Sequence, residues 1–372
     1  MAKYRFDQVA RECRTTFKGD KNGMPIVGLE HLVPNEMLVR DFEVDTENTF
    51  TKSFKQGQIL FGRRRAYQQK AGVAQFDGIC SGDITIIEAI PGKIEPNLLP
   101  FIVQNEQFFE HAVQGSAGSL SPRVKWEHLA SYEIELPTME KQRVLADKLW
   151  TAYRLKESYK KLLAATDEMV KSQFIEMFGE RTTTPVGYYI KDSFPGDWGK
   201  EDLDGTGVKV IRTTNFTNFG KLNLSEVVTR SIEERKIQKK QILKYDTILE
   251  RSGGTADNPV GRVVLFEEDE QYLCNNFTQV LRFKDIDPRF AFYALFYFYQ
   301  MNKTSIRSMG SKTTGIQNLN MSKYLEIGIP NADEDEQKQF VSIAEQADKS
   351  KFELRKSTEA IDRVIKSLIN NV

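Results

Sequence analysis

Cysteine and histidine are scarce in this 372-residue chain: Cys13, Cys80 and Cys274, and His31, His111 and His128. No CxxC, HExxH or comparable ligand spacing links them, which argues against a structural or catalytic metal. Cys80 and Cys274 sit in the apolar runs GICSGDITII and YLCNNFTQVLRF, where a thiol acts as a small hydrophobe rather than a nucleophile. Excess charge is missing as well. The 52 Lys+Arg balance 52 Asp+Glu, and the segments 1–137, 138–180, 181–330 and 331–372 carry net charges of −2, +1, +3 and −2. A chain that wraps a polyanion needs a basic surface, so any contact with nucleic acid has to come from local clusters.

Long apolar runs are absent too. The longest, FAFYALFYFYQM at 290–301, is too short to span a bilayer and reads as a buried aromatic helix. The N-terminal MAKYRFDQVARECR is charged and lacks a secretory apolar stretch, so a cytoplasmic location is expected. Nor does the sequence contain GxxxxGK[ST], GxGxxG or GxSxG, and DNPV at 257–260 lacks the second Pro and the aromatic of an amino-methyltransferase tetrapeptide. No familiar catalytic machinery is therefore visible.

What is present is a duplication. EIELPTMEKQ (133–142) returns as EIGIPNADEDEQ (326–337), GQILFGRRR (57–65) as DTILERSGG (246–254), GICSGDITII (78–87) as YLCNNFTQVL (272–281), and Pro96 before NLLPFIV as Pro288 before RFAFYAL. Four blocks in one order, about 190 residues apart, describe a doubled domain rather than a solenoid of short repeats. Each copy begins with short β-rich runs, turns and one apolar helix, over 1–137 and 181–330, which predicts a compact α/β globule.

Each copy ends in a long helix, predicted over 138–180 and 331–372. In the second, Phe340, Ile343, Ala347, Ser350, Leu354, Ser357, Ile361, Val364 and Leu368 recur at alternating steps of three and four, the heptad pattern of a coiled-coil seam. In the first, Leu145, Leu149, Ala152, Tyr159, Leu163 and Val170 take similar steps. The expected fold class is α+β: two pseudo-symmetric α/β domains separated by two long antiparallel coiled-coil helices acting as a spacer.

Candidate ligand contacts fall at matching points of the two copies. FGRRRAYQQKAG offers Arg63, Arg64, Arg65, Tyr67 and Lys70 just after a strand, and LERSGGTADNPVGR offers Arg251, Ser252 and Arg262. Guanidinium groups beside glycine suit phosphate contact and base-edge reading. The polar segments SAGSLSPRVKW and SMGSKTTGIQNLNM add Arg123, Lys125, Lys312 and Gln317, and IRTTNFTNFGKLNL adds Arg212 and Asn215. Charged hairpins and Asn turns produce similar patterns, so these motifs alone leave both readings open.

In these same segments the chain resembles the specificity subunit of type I restriction-modification enzymes. QILFGRRRAYQQKAGVAQFDGICSGDI and TILERSGGTADNPVGRVVLF look like recognition-domain cores, and ELPTMEKQRVLADKL and GIPNADEDEQKQFVSIAEQAD look like the junctions with the family's conserved helices. The resemblance implies a non-catalytic subunit whose two target recognition domains each read half of a split sequence in double-stranded DNA. It also implies helices that fix the spacer and dock two methyltransferase subunits, with restriction subunits joining. S-adenosylmethionine, ATP and magnesium are implied for those partners and no cofactor for this chain. The rival expectation is a coiled-coil interaction scaffold without sequence-specific DNA binding, and steep salt dependence separates the two.

Overall fold

The computed structural model describes residues 2–118, 120–255, 258–313 and 316–370, with Lys312 and Thr313 described by backbone alone. The chain divides into two compact units. Unit 1 contains residues 1–162 and 353–372, and unit 2 contains residues 163–352.

Unit 1 contains β1 (Ala2–Arg5), β2 (Ala10–Cys13), β3 (Ile26–Val27), β4 (Leu38–Val39), β5 (Lys52–Phe54), β6 (Ile59–Gly62), β7 (Ala71–Ala74), β8 (Gly78–Cys80) and β9 (Ile84–Ala89). Helices α1 (Leu99–Val103), α2 (Glu106–Gln114) and α3 (Trp126–Leu129) follow, then β10 (Glu133–Leu136). One sheet has the order β2-β9-β6-β7-β4, a second β3-β8-β5, and β1 pairs with β10. The apolar stretches of β6 and β7 are buried on both faces, which is why they read as continuous hydrophobic runs rather than alternating ones. Phe61 stacks on Phe109 and meets Phe108 edge-on in the main core.

Unit 2 repeats this plan with β11 (Thr183–Pro185), β12 (Ile190–Pro195), β13 (Lys200–Glu201), β14 (Val208–Ile211), β15 (Val228–Ser231), β16 (Thr247–Glu250), β17 (Ser252–Gly253), β18 (Val263–Leu265), β19 (Tyr272–Cys274) and β20 (Thr278–Phe283). Its remaining strands are β21 (Gly310–Thr313), β22 (Ile316–Leu319) and β23 (Gly328–Pro330). The order β12-β20-β16-β18 matches β2-β9-β6-β7, the parallel pair β14–β19 matches β3–β8, and β11–β23 matches β1–β10. The apolar run singled out in the sequence is helical over Pro288–Met301; Asp287 caps it by accepting the Arg289 backbone N–H, and Pro288 starts it. Both choices are favoured at a helix start.

Two long helices complete the chain, Met139–Phe178 (40 residues) and Glu334–Asn370 (37 residues), called hA and hB below. At 1.5 Å per residue each is about 55–60 Å long. Each contributes to both units. In unit 1, Leu149 and Tyr153 of hA join the core, with Leu145, Trp150, Ile365, Leu368 and Ile369 packed against it. In unit 2, Val170, Phe174 and Phe178 of hA meet Phe340, Val341, Ala344 and Ala347 of hB. The start of hA therefore lies with the end of hB in unit 1, and the converse holds in unit 2, which makes the pair antiparallel.

The predicted seam needs one correction of phase. Phe340, Ala347, Leu354, Ile361 and Leu368 are buried or half-buried, yet Ser350 and Val364 are exposed, whereas Ala344, Lys351 and Ile365 face inward. The repeat is a heptad of steps four and three, one residue off at every second position. Ile343 is half-buried beside the buried Ala344. In hA, Leu145, Leu149, Tyr159 and Leu163 do keep inward positions, all buried or half-buried. One of the shifted positions is held by Lys351, which is only 8% exposed and bonds Asp167 and Asp348 at 2.8 Å each. Unit 1 has the counterpart bridge Lys156–Asp362, 195 residues away at both ends.

Two glutamines lock the helix starts. Gln142 Oε1 accepts the Glu95 N–H at 2.9 Å while its Nε2 donates to the Pro137 carbonyl at 2.9 Å. Gln337 does the same with Asp287 N–H and the Ala332 carbonyl, again at 2.9 Å each.

Candidate nucleic-acid interface

In unit 1 the buried strand β6 delivers the chain to Arg63, whose N–H donates to the Asp83 carbonyl at 2.9 Å and whose carbonyl accepts the Val124 N–H at 2.9 Å. Arg65 and Gln69 both have left-handed backbone, φ 55° and 52°, and bracket a 3-10 turn. Non-glycine residues adopt that region at a cost, and such strain concentrates at functional sites. Here it buries Ala66 and leaves Tyr67 57% exposed. The adjoining segment folds back through paired bonds between Ala117 and Arg123, and Arg65 N–H donates to the Pro122 carbonyl at 2.8 Å.

Asp83 organises the cations around this corner. It accepts from Arg123 at 2.6 and 3.2 Å and from Arg64 at 3.4 Å, and Arg64 also donates to Ser121 Oγ at 2.9 Å. The Arg123 hydrogen bond holds the Asp83 carboxyl below the usual carboxylate range against the opposing effect of burial. The guanidinium ends of Arg64 and Arg123 remain partly open, with side chains 37% and 44% exposed. The Nε atoms of Arg63, Arg64 and Arg65 are buried without a hydrogen-bond partner. Lys125 is exposed at the start of α3. Lys70 differs, because its Nζ donates to the Leu29 carbonyl at 2.8 Å and braces the fold.

Unit 2 builds the same corner from other side chains. Arg251 N–H donates to the Phe277 carbonyl at 2.8 Å and the Arg251 carbonyl accepts the Leu319 N–H at 2.8 Å, as Arg63 does with Asp83 and Val124. Ser252 stands where Arg64 stands, in register with Asn318 of β22. Gly253 and Gly254 follow with φ 113° and 67°, and a Cβ on Gly254 would lie 2.8 Å from the Val260 nitrogen. Arg251 is half-buried, with one guanidinium contact to Gln279 Oε1 at 3.4 Å. Gln317 is half-buried on β22, opposite Gly253 and Lys312. The backbone of Lys312 lies on β21, and its side chain falls outside the described part.

Three residues expected at the unit 2 surface turn inward instead. Arg262 forms a two-bond pair with the buried Glu250 at 2.7 and 3.2 Å. Ser252 is buried, donating to Asn318 Oδ1 at 2.7 Å. Asn215 is buried in a turn, accepting the Arg212 N–H at 2.9 Å and donating to the carbonyls of Asn223 and Glu226 at 3.0 and 2.9 Å. These side chains hold the fold, and with Lys70 they leave the contact set. Arg212 stays half-buried at the mouth of that turn, its Nε without a hydrogen-bond partner.

Sequence reading missed Asp83, which has no carboxylate counterpart in the second copy, and Glu250, which lies in an apolar strand. The pattern SGD after a strand was the available signal for the first. The thiols are poor nucleophiles: burial pushes Cys80 up to about 12 and Cys274 up to about 11. Among the described residues, no cluster of His, Cys, Asp or Glu is placed to hold a metal ion, and no helix is long and apolar enough to cross a membrane.

Residues 193–362 match the family described as the type I restriction modification DNA specificity domain. The specificity subunit of the type I restriction enzyme EcoDI of Escherichia coli is 24% identical over 191 residues, which is 48% of this chain and 41% of that protein. The chain thus spans less than half the length of that relative. A chain from a study of complex assembly and conformational transition of the type I R-M system aligns over 99% of this chain and 96% of its own, with TM-score 0.57 and 15% identity. The S subunit of a type I restriction-modification system from M. genitalium aligns over 99% and 94%, with TM-score 0.57 and 13% identity. Residues 193–362 are thus similar to a type I restriction modification DNA specificity domain, and the chain shares its fold with these two solved structures.

Proposed function

We propose that this chain is the DNA sequence-recognition subunit of a type I restriction-modification complex, each unit reading one half of a bipartite target. The observation that carries this is the recurrence, in both units, of an arginine at the end of the central strand, Arg63 and Arg251, fixed by the same two backbone bonds to an adjoining hairpin or turn. Duplicated readers that differ in side chain at one fixed corner suit a target whose halves differ in sequence. Hydrogen bonds from Arg64, Arg123, Arg251 and Gln317 suit phosphates and base edges.

In this reading hA and hB set the unread gap and dock two methyltransferase subunits, restriction subunits join the assembly, and the complex works in the cytoplasm. The chain itself is non-catalytic and binds no cofactor. S-adenosylmethionine, ATP and magnesium serve the partners, and the adenine to be methylated leaves the stack. Single-molecule sequencing of modified adenines in the host genome tests it: the expected result is a two-part motif with a constant gap, which disappears when the gene is deleted. A scaffold without sequence-specific DNA binding leaves that modification pattern unchanged on deletion.

A further inference from the structure

The two units carry opposite charge in one matching stretch. Between β14 and β16 of unit 2, residues 212–246 hold eight Lys+Arg against four Asp+Glu, whereas residues 28–58, between β3 and β6 of unit 1, hold three against six. Unit 2 also forms a helix here, Glu234–Lys240, and no α-helix lies between β3 and β6 of unit 1.

Ile237 anchors that helix in a small core with Val210 of β14 and Leu273 of β19. These are the strands that lead to the contact corner. β14 ends at Ile211 and passes to Arg212, and Asn275, just after β19, donates its N–H to the Ile211 carbonyl at 2.9 Å. Two residues further on, the Phe277 carbonyl accepts the Arg251 N–H. Lys240 ties down the end of the helix, donating to the Gly196 carbonyl and the Asp197 carboxylate at 3.2 Å each, and the Asp197 N–H donates to the Cys274 carbonyl at 2.7 Å.

The faces turned away from Ile237 are cationic. Arg235, Lys236 and Lys239 are exposed, and none has a carboxylate within ion-pair distance among the described residues, unlike Lys240 with Asp197 and Lys244 with Asp269. Their spacing works against the helix. Arg235 neighbours Lys239, and Lys236 neighbours Lys240, at i,i+4, where like charges repel. The helix dipole accounts for cations in the last turn but disfavours them in the first, where Arg235 and Lys236 stand. An ordinary solvated face would set carboxylates opposite such cations. This one calls for an anion from outside the chain.

We propose that the helix Glu234–Lys240 grips the phosphate backbone of the duplex beside the half-site read by unit 2, a contact that unit 1 lacks. The proposal rests on the DNA-reading role above and makes the two readers unequal, with unit 2 supplying more of the sequence-independent grip. A nucleic-acid backbone is favoured over an acidic protein because the helix is built on the strands that deliver Arg212 and adjoin Arg251. Cations on phosphates position the protein without reading sequence.

The test uses the full chain with its methyltransferase subunits, duplexes bearing the mapped target, and a variant carrying Arg235→Gln, Lys236→Gln and Lys239→Gln. The log–log slope of affinity against salt is expected to fall by about two to three, and ethylation interference should vanish at a few phosphates beside one half-site only. The methylated motif should stay the same, and the melting temperature should hold or rise, since like charges leave the helix. Lys239→Gln alone should lower the slope by about one, while the charge-keeping set Arg235→Lys, Lys236→Arg and Lys239→Arg should retain the wild-type slope. The grip is overturned if the glutamine variant matches wild type in slope and interference, or if contacts are lost equally in both halves. Weaker assembly with the methyltransferase subunits while the DNA contacts persist also overturns it, and assigns the helix to an acidic protein surface. A wild-type complex with no preference for its target duplex overturns the DNA-reading role itself, a separate and recognisable outcome.

Discussion

Arg251 and Arg262 lie eleven residues apart in one Gly-rich segment and look alike in the sequence, yet their surroundings assign them opposite tasks. Arg262 neutralises Glu250, which is 2% exposed. Arg262→Ala should therefore lower stability by about 3 kcal/mol, because the remaining carboxylate is left buried and unpaired; chemical denaturation measures it. Arg251→Ala should leave stability nearly unchanged and weaken DNA binding across all sequences, with the salt slope reduced by about one. A changed base preference at one position instead would make Arg251 a base reader. Asp83 works in the other direction, drawing charge from Arg64 and Arg123. Asp83→Ala should raise affinity for random DNA at low salt while lowering discrimination, because both guanidinium groups lose their anchor and turn to phosphates. The sequence singled out the arginines and polar residues that the proposed function places at this corner. Which cations were already partnered was not, since Glu250 and Asp83 acquire their roles only when strands distant in sequence come side by side.

The repeat blocks held at the level of whole elements, with β8 and β9 of unit 1 lying 194 residues before β19 and β20 of unit 2. Even the glutamine in the repeated EKQ and DEQ stretches has one structural task in both copies. The helix seam was legible in period but not in phase. Lys351 does not look like a core residue, and Phe174, Phe178 and Tyr153 face their globular cores rather than only the other helix. A polar layer inside such a seam fixes register. Lys351→Ala should destabilise by about 1–3 kcal/mol, less than a fully buried pair would, because Asp167 and Asp348 keep some solvent. Burial pushes the Asp348 carboxyl up, but Lys221 and Lys351 outweigh it and hold it below the ordinary carboxylate value. Its stabilising contribution is therefore complete above the unfolded carboxylate range and is lost as pH falls through the depressed value. Asp348→Asn should lose stability at neutral pH and show a flatter acid-unfolding profile than wild type, as followed by circular dichroism.

In the proposed role, the two long helices determine how many unread base pairs the target contains. The heptad found in the structure dictates how that idea must be tried. Removing seven residues from each helix keeps the seam in phase, whereas removing one turn of four would rotate Ala344, Lys351 and Ile365 out of contact. Seven residues amount to about 10.5 Å of helix, or about three base pairs of B-DNA. A chain lacking one heptad from the exposed middle of both hA and hB should modify targets whose gap is about three base pairs shorter, with both half-site sequences unchanged. A library of duplexes with the half-sites held constant and the gap varied, scored for methylation by the reconstituted complex, measures this directly. Retention of the original gap by a folded, active shortened complex would mean that something other than helix length sets the spacing, and would remove the ruler from the proposed mechanism while leaving the two readers in place.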